Sequence, residues 1–124
     1  MLQTAAGWGL DVDRGPDWVF VRVHPRDGFD DAPGLAQSVW ALLEQHFTYR
    51  LVLELDVVTL LHSPVIGQLV LLSKRVHTRG GLLRLCGVSE PSREVLHLCR
   101  LESALPSFDN RGDAVMGHRP KQPR

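Results

Sequence analysis

The stretch LVLELDVVTLLHSPVIGQLVLLSKR, residues 51–75, decides the fold. Its opening, LVLELDVV, is a near-continuous apolar run broken by Glu54 and Asp56. An apolar run of that length without helical spacing predicts a strand over 51–58 that is covered on both faces. Beyond Thr59 the pattern changes. Ser63-Pro64 predicts a helix start, because a serine at the N-cap satisfies an orphan amide and a proline in the first turn gives up an N–H that had no helical partner. From there to about Thr78, at about 100° per residue, Val65, Leu69, Leu72, Ser73 and Val76 fall on one face. Gly67, Val70, Leu71 and Lys74 lie off it. Arg79-Gly80-Gly81 then stops the helix.

Outward from this unit the elements alternate. On the C-terminal side, 82–86 predicts a strand and 90–99 a helix with Val95, Leu96 and Cys99 inward and Pro91 in its first turn. A short strand over 105–108 and a helical turn over 113–116 complete that half. On the N-terminal side, 10–13 and 18–23 predict two strands joined by the turn Arg14-Gly15-Pro16-Asp17. Val19, Val21 and Val23 share one face there, and Trp18, Phe20 and Arg22 the other. Residues 24–31 predict a loop. Residues 32–47 predict a helix with the stripe Leu35, Val39, Leu42, Leu43 and Phe47, with Trp40 at its edge. Asp30 or Asp31 caps this helix and Pro33 suits its first turn.

The order β-β-α-β-α-β-α-β-α predicts a single α/β domain, with a mixed sheet of four to five strands flanked by about four helices. Residues 1–9, which include Trp8, are expected to form an N-terminal arm. The domain is expected to span 10–116, and 117–124 a flexible C-terminal tail.

Composition narrows the function. The chain has 124 residues, 44% of them hydrophobic, with 14 Lys+Arg against 14 Asp+Glu. One core without disulfides is feasible at this length. Zero net charge argues against a nucleic-acid binder and leaves self-association as a homodimer open. No apolar run approaches the roughly 18 residues of a membrane span, and no charged start leads into an apolar segment. A cytoplasmic protein with no direct membrane insertion is expected. Two cysteines, Cys86 and Cys99, are too few for a disulfide scaffold. They read as small buried hydrophobes, since His97 and Cys99 sit about 200° apart on a helix and cannot share an ion. No metal and no cofactor are therefore expected. Ser63 with a histidine and Asp56 or Glu54 lacks the G-x-S-x-G elbow and an ordered base, so an enzyme is not expected. The cations Lys74, Arg75, His77, Arg79 and Arg84 read as ordinary partners of a helix C-terminus.

Four segments together resemble the STAS domain family, the fold of bacterial anti-sigma factor antagonists. Residues 51–75 resemble that family's apolar strand, its Asp-Ser-Ser/Thr-Gly-hydrophobic-Gly turn and the following helix. RGGLLRLCGV (79–88) resembles its Gly-Gly turn and next strand. SREVLHLCRLESALPSF (92–108) resembles its penultimate helix, and DNRGDAV (109–115) its acidic link into the last helix. No single motif is specific; their order and spacing are. With Gly67 on the motif's second glycine, His62 takes the Asp position, Ser63 the first Ser, and Val65 the first Gly. Pro64 then falls on the residue that antagonists present for phosphorylation, and proline has no hydroxyl.

The resemblance implies a non-enzymatic regulatory domain that docks on an anti-sigma factor or serine-kinase-like protein through the start of helix 63–78. Asp30, His62, Ser63, Pro64, Gly67, Val70 and Leu71 are the expected contact residues, with the loop 27–31 beside them. Ser63, and after it Thr59, are the remaining hydroxyls for a phosphate; alternatively Ser63 is no more than an N-cap. The same resemblance fits a subunit of a larger assembly, either a stressosome-like scaffold or a lipid-transport ABC system. A small-ligand-binding domain with a pocket near His62 is the other alternative.

Overall fold

A computed structural model describes residues 2–5, 8–25 and 34–117. Its six strands are β1 (Leu2–Ala5), β2 (Trp8–Arg14), β3 (Val19–Pro25), β4 (Arg50–Glu54), β5 (Leu82–Cys86) and β6 (Ser107–Phe108). Its helices are α1 (Leu35–Gln45), α2 (Ser63–Thr78), α3 (Glu90–Leu98) and α4 (Arg111–Met116). The strands form one mixed sheet in the order β1-β2-β3-β4-β5-β6. The first three pair antiparallel, and β3 to β6 run parallel. The α/β class and element order are as predicted, with one strand added at the edge. Leu2–Ala5 pairs with Trp8–Asp11, so part of the expected arm belongs to the sheet. Trp8, now inside a strand, is buried in the core.

Alternation along the strands sends side chains to two faces. Leu10, Val19, Val21, Val23, Leu51 and Leu53 build the larger core with Leu83 and Leu85. Helices α1 and α2 cover it with Leu35, Val39, Leu43, Val65, Leu69 and Leu72, and Leu96 of α3 joins them. Each such leucine taken fully out of water is worth about 1.5–3 kcal/mol. On the opposite face Trp18, Phe20, Val52, Cys86 and Phe108 form a smaller core closed by Ala114 of α4.

Three expectations at helix ends are corrected. Phe47 is not in the α1 stripe. The helix stops at Gln45, Phe47 turns left-handed (φ 52°), and its side chain is 87% exposed. The Phe47 amide donates to Glu44 O at 3.2 Å and the Thr48 amide to Leu43 O at 3.1 Å, the crossed pair of a Schellman ending. Cys99 is likewise the C-cap of α3 and exposed rather than inward, because the chain reverses at Arg100 (φ 56°). Ser63 is the first helical residue of α2, not its N-cap. His62 holds the cap position with extended backbone (φ −86°, ψ 157°). The proposed α1 caps Asp30 and Asp31, and Pro33, lie outside the described residues. In the described part Gly34 occupies the cap, and Gln68 of α2 accepts the Ala36 amide at 2.9 Å.

Candidate functional site

The start of α2 and the loop before it stand at the C-terminal ends of the parallel strands, where open α/β sheets usually present their working loops. The β4 strand ends at Glu54, earlier than predicted, and the chain leaves the sheet in a turn closed by Val58 N–H donating to Leu55 O at 3.0 Å. That turn buries Leu55, Val58 and Leu61 while pushing Val57 and Leu60 outward, 48% and 40% exposed.

Neighbouring segments hold the loop in place. Leu55 N–H donates to Cys86 O at 2.9 Å, continuing the sheet contact past the end of β4. The Ser89 hydroxyl donates to Thr59 O at 2.7 Å, and Ser92 Oγ accepts the Leu61 amide at 3.0 Å. The two hydroxyls sit 2.8 Å apart and share a hydrogen bond, while Ser89 also caps α3 by accepting the Ser92 amide. Gly87 lets the two loops approach: its φ is +66°, and a Cβ there would stand 2.5 Å from Asp56 Oδ1. The loop before α2 is thus an exposed platform pre-ordered by hydrogen bonds from β5 and α3.

His62, Ser63, Pro64 and Gly67 are all exposed at the first turns of α2, and Leu71 follows them on the outer stripe at 56% exposure. Val70 turns partly inward and packs against the larger core. Thr59 is exposed although its backbone is pinned. Asp30 and the rest of the loop 27–31 lie outside the described residues. Sequence reading missed the exposure of Val57 and Leu60 in the loop before α2. Their apolar character matches the strand before them, and the Leu55–Val58 turn that aims them outward is set by contacts from β5 and α3.

Gly67 has no internal explanation. It sits within α2 with open space around it, since a Cβ there would meet nothing within 4 Å. Glycine inside a helix costs about 1 kcal/mol relative to alanine. What it gives in return is a bare patch of backbone on the outer side of the helix.

The polar cluster on the smaller face is structural in character. Arg111 grips Glu54 with two hydrogen bonds, Nε to Oε2 at 2.7 Å and Nη2 to Oε1 at 3.0 Å, and donates from Nη1 to Asp13 Oδ2 at 2.7 Å. Its guanidinium lies 4.2 Å over the Phe20 ring. The Arg111 bond, and after it the Arg14 amide, hold the Asp13 carboxyl below its ordinary 3.8. Burial, reinforced by the charges of Glu54 and Asp56, pushes the Cys86 thiol up to about 12. Glu54 is therefore committed to Arg111 rather than to any group at the start of α2. Arg84, grouped by sequence with the α2 cations, faces this side too: it stacks on Trp18 and bonds Ala114 O at 2.7 Å, closing the end of α4. Among the described residues no group of His, Cys, Asp and Glu is arranged to hold a metal ion, and no helix is long and apolar enough to cross a membrane.

A mixed sheet with helices on both faces, leading from its central parallel strand into an exposed helix start, defines a STAS-type α/β domain. The match to the STAS domain model runs over residues 15–114, and the chain belongs to that family. Among solved structures it resembles an anti-sigma factor antagonist from Mycobacterium paratuberculosis, at 21% identity and TM-score 0.73, over 91% of this chain and 95% of that one. An anti-sigma-factor antagonist (STAS) domain protein from Planctomyces limnophilus matches at 20% identity and TM-score 0.71, over 87% of this chain and 96% of that one. A single-substitution form of Moorella thermoacetica RsbS matches at 16% identity and TM-score 0.61, over 87% of this chain and 92% of that one. No curated protein matches the sequence.

Proposed function

We propose that this protein is a non-enzymatic regulatory interaction domain that acts as an anti-sigma factor antagonist. It docks on an anti-sigma factor or serine-kinase-like protein in the cytoplasm of a bacterium. Docking is by surface competition: the start of α2 occupies the partner and releases what that partner had sequestered. The observation that carries this reading is the exposed platform around Gly67, where Val57, Leu60 and Leu71 are open to solvent and the helix backbone is bare. Similarity of fold to the anti-sigma factor antagonists of Mycobacterium paratuberculosis and Planctomyces limnophilus supports it.

Pro64 replaces the phosphate acceptor, so the usual switch cannot operate there. Ser63 is the remaining hydroxyl at the helix start. A phosphate on it would face the amides and positive end of α2, which tolerate an anion well, and would place two negative charges in the middle of the docking surface.

The test is to mix the protein with each serine-kinase-like protein of its own organism and ATP, then record complex formation and intact mass. A stable complex is expected with one of them. Gly67→Arg should abolish it while leaving the circular dichroism unchanged, because a Cβ at this exposed position meets nothing within 4 Å. A gain of one phosphate that Ser63→Ala removes would put the switch on Ser63; an unmodified complex would make the protein an antagonist without a switch. Absence of any complex, or a complex that Gly67→Arg leaves intact, overturns the reading.

A further inference from the structure

Past Leu71 the outer stripe of α2 changes character. Lys74, Arg75 and Arg79 line a groove between α1 and α2, with Trp40 and Leu71 in its walls and Glu44 on its rim. Cations in the last turns of a helix ordinarily serve its C-terminal carbonyls. These arginines do not. The α2 end is closed by Gly80 N–H to His77 O at 2.9 Å and Gly81 N–H to Val76 O at 2.9 Å, with the Thr78 hydroxyl donating to Lys74 O at 2.9 Å. The guanidinium of Arg75 instead lies 4.7 Å over the Trp40 ring and donates to Gln37 Oε1 at 2.7 Å. That of Arg79 lies 4.5 Å over the Tyr49 ring and donates to the Tyr49 hydroxyl at 2.9 Å.

Stacking and a single hydrogen bond fix the plane of each guanidinium while leaving most of its N–H groups for something else. A planar fork held in advance is the form of arginine that binds carboxylates two bonds at a time. Charge balance points the same way. Arg22 and Arg111 on the other side of the sheet are paired with Glu54. Among the described residues Lys74, Arg75 and Arg79 enter no ion pair, in a chain whose formal net charge is zero. The groove is thus a local excess of positive charge with apolar walls, continuous through Leu71 with the platform at Gly67.

We infer that this groove receives an acidic segment of the partner protein, one that carries glutamate or aspartate side chains interleaved with apolar ones. The inference rests on the docking reading and names the partner's chemistry. The apolar platform sets where the partner sits; the groove selects for its charge and speeds the encounter at low salt. Leu71, 56% exposed, offers an apolar contact that a phosphate backbone would not use.

The probe is a fluorescein-labelled, acetylated peptide, Glu-Leu-Glu-Glu-Leu-Leu-Glu-Glu, with its all-glutamine counterpart as control. Binding is followed by anisotropy at about 50 mM salt and by the Trp40 indole N–H resonance. The glutamate peptide is expected to bind, shift that resonance and weaken as salt rises, while the glutamine peptide does not bind. The double variant Arg75→Glu, Arg79→Glu, both exposed positions, should bind at least about ten-fold more weakly. Gly67→Arg should not weaken peptide binding, since Gly67 lies about 12 Å from Arg75 along the helix and the change adds positive charge. Failure of the docking reading therefore appears in the complex assay with Gly67→Arg, and failure of this inference in the peptide assay. No binding of the glutamate peptide, equal binding of the glutamine peptide, or full binding by the double variant overturns the inference. Tighter binding of a single-stranded oligonucleotide of equal charge overturns it in favour of nucleic acid.

Discussion

On one face of the sheet Leu51 and Leu53 pack into the apolar sides of α1, α2 and α3; one residue along the same strand, on the other face, Glu54 meets the guanidinium of Arg111. Strand β4 is buried throughout most of its length because both faces are covered, but by different means. The larger core is close-packed carbon, for which any lost volume leaves a cavity. The smaller face joins a few aromatic rings to a charge cluster, Asp13, Arg22, Glu54 and Arg111, in which each group depends on a partner. The first face responds to shape, the second to charge. The proposed docking platform belongs to the first: α2 is anchored by its inner stripe, which leaves its outer stripe exposed.

The largest expected effect is on the larger core. Leu53 is fully buried, and Leu53→Ala should lower the stability to urea by about 2–5 kcal/mol. Arg111→Met comes next. It takes both hydrogen bonds from Glu54, whose side chain is 5% exposed, and leaves it the 3.6 Å pairing with Arg22; because Arg111 itself is part-exposed the loss should be about 2 kcal/mol. The double variant Glu54→Gln, Arg111→Met should recover part of that loss. If it is no more stable than Arg111→Met alone, the lost stability came from packing on Phe20 and the contrast between the faces weakens.

Gly67→Ala acts on the outer side of α2 and should raise stability by roughly 0.5–1 kcal/mol, read as a higher urea midpoint. A fall would mean that the domain itself needs the glycine, which would remove the reason to look outside the chain for it. The smallest effect is the acid limb. The Asp13 carboxyl titrates below its ordinary 3.8 in the folded protein. Its contribution is therefore present above that value and is lost as pH falls through its folded value. Urea midpoints measured below about pH 4 should fall less steeply in Asp13→Asn than in the native chain.

The platform at α2 was half legible in the letters. His62, Ser63, Pro64 and Gly67 were singled out by lining up one glycine with a family motif, and the structure leaves all of them exposed. Val57 and Leu60 were not found, because an apolar residue in a tight turn reads the same as one in the strand before it. The groove cations were visible but read as helix-end charges. What separates Arg84 from Arg75 and Arg79 is the face each side chain reaches, and no spacing within one element gives that.

By itself the sequence determined the order of elements from β2 onward, the two faces of β3, the inner stripe of α2 and the stop at Gly80, because each depends on periodicity or on one residue's own backbone preference. Only the tertiary structure decided how the other helices end. Helices α1, α2 and α3 all close with the same crossed pair of backbone bonds, at Phe47, Gly80 and Arg100. Glycine announces that ending, whereas phenylalanine and arginine accept left-handed backbone at about 1–2 kcal/mol because packing on either side dictates the reversal. The start of α1 and the loop before α2 were settled the same way, by Gln68 reaching the Ala36 amide and by Ser89 and Ser92 holding Thr59 and Leu61. Those partners lie about 30 residues away along the chain, and hydrogen bonds of that kind form only once the sheet has brought them within about 3 Å.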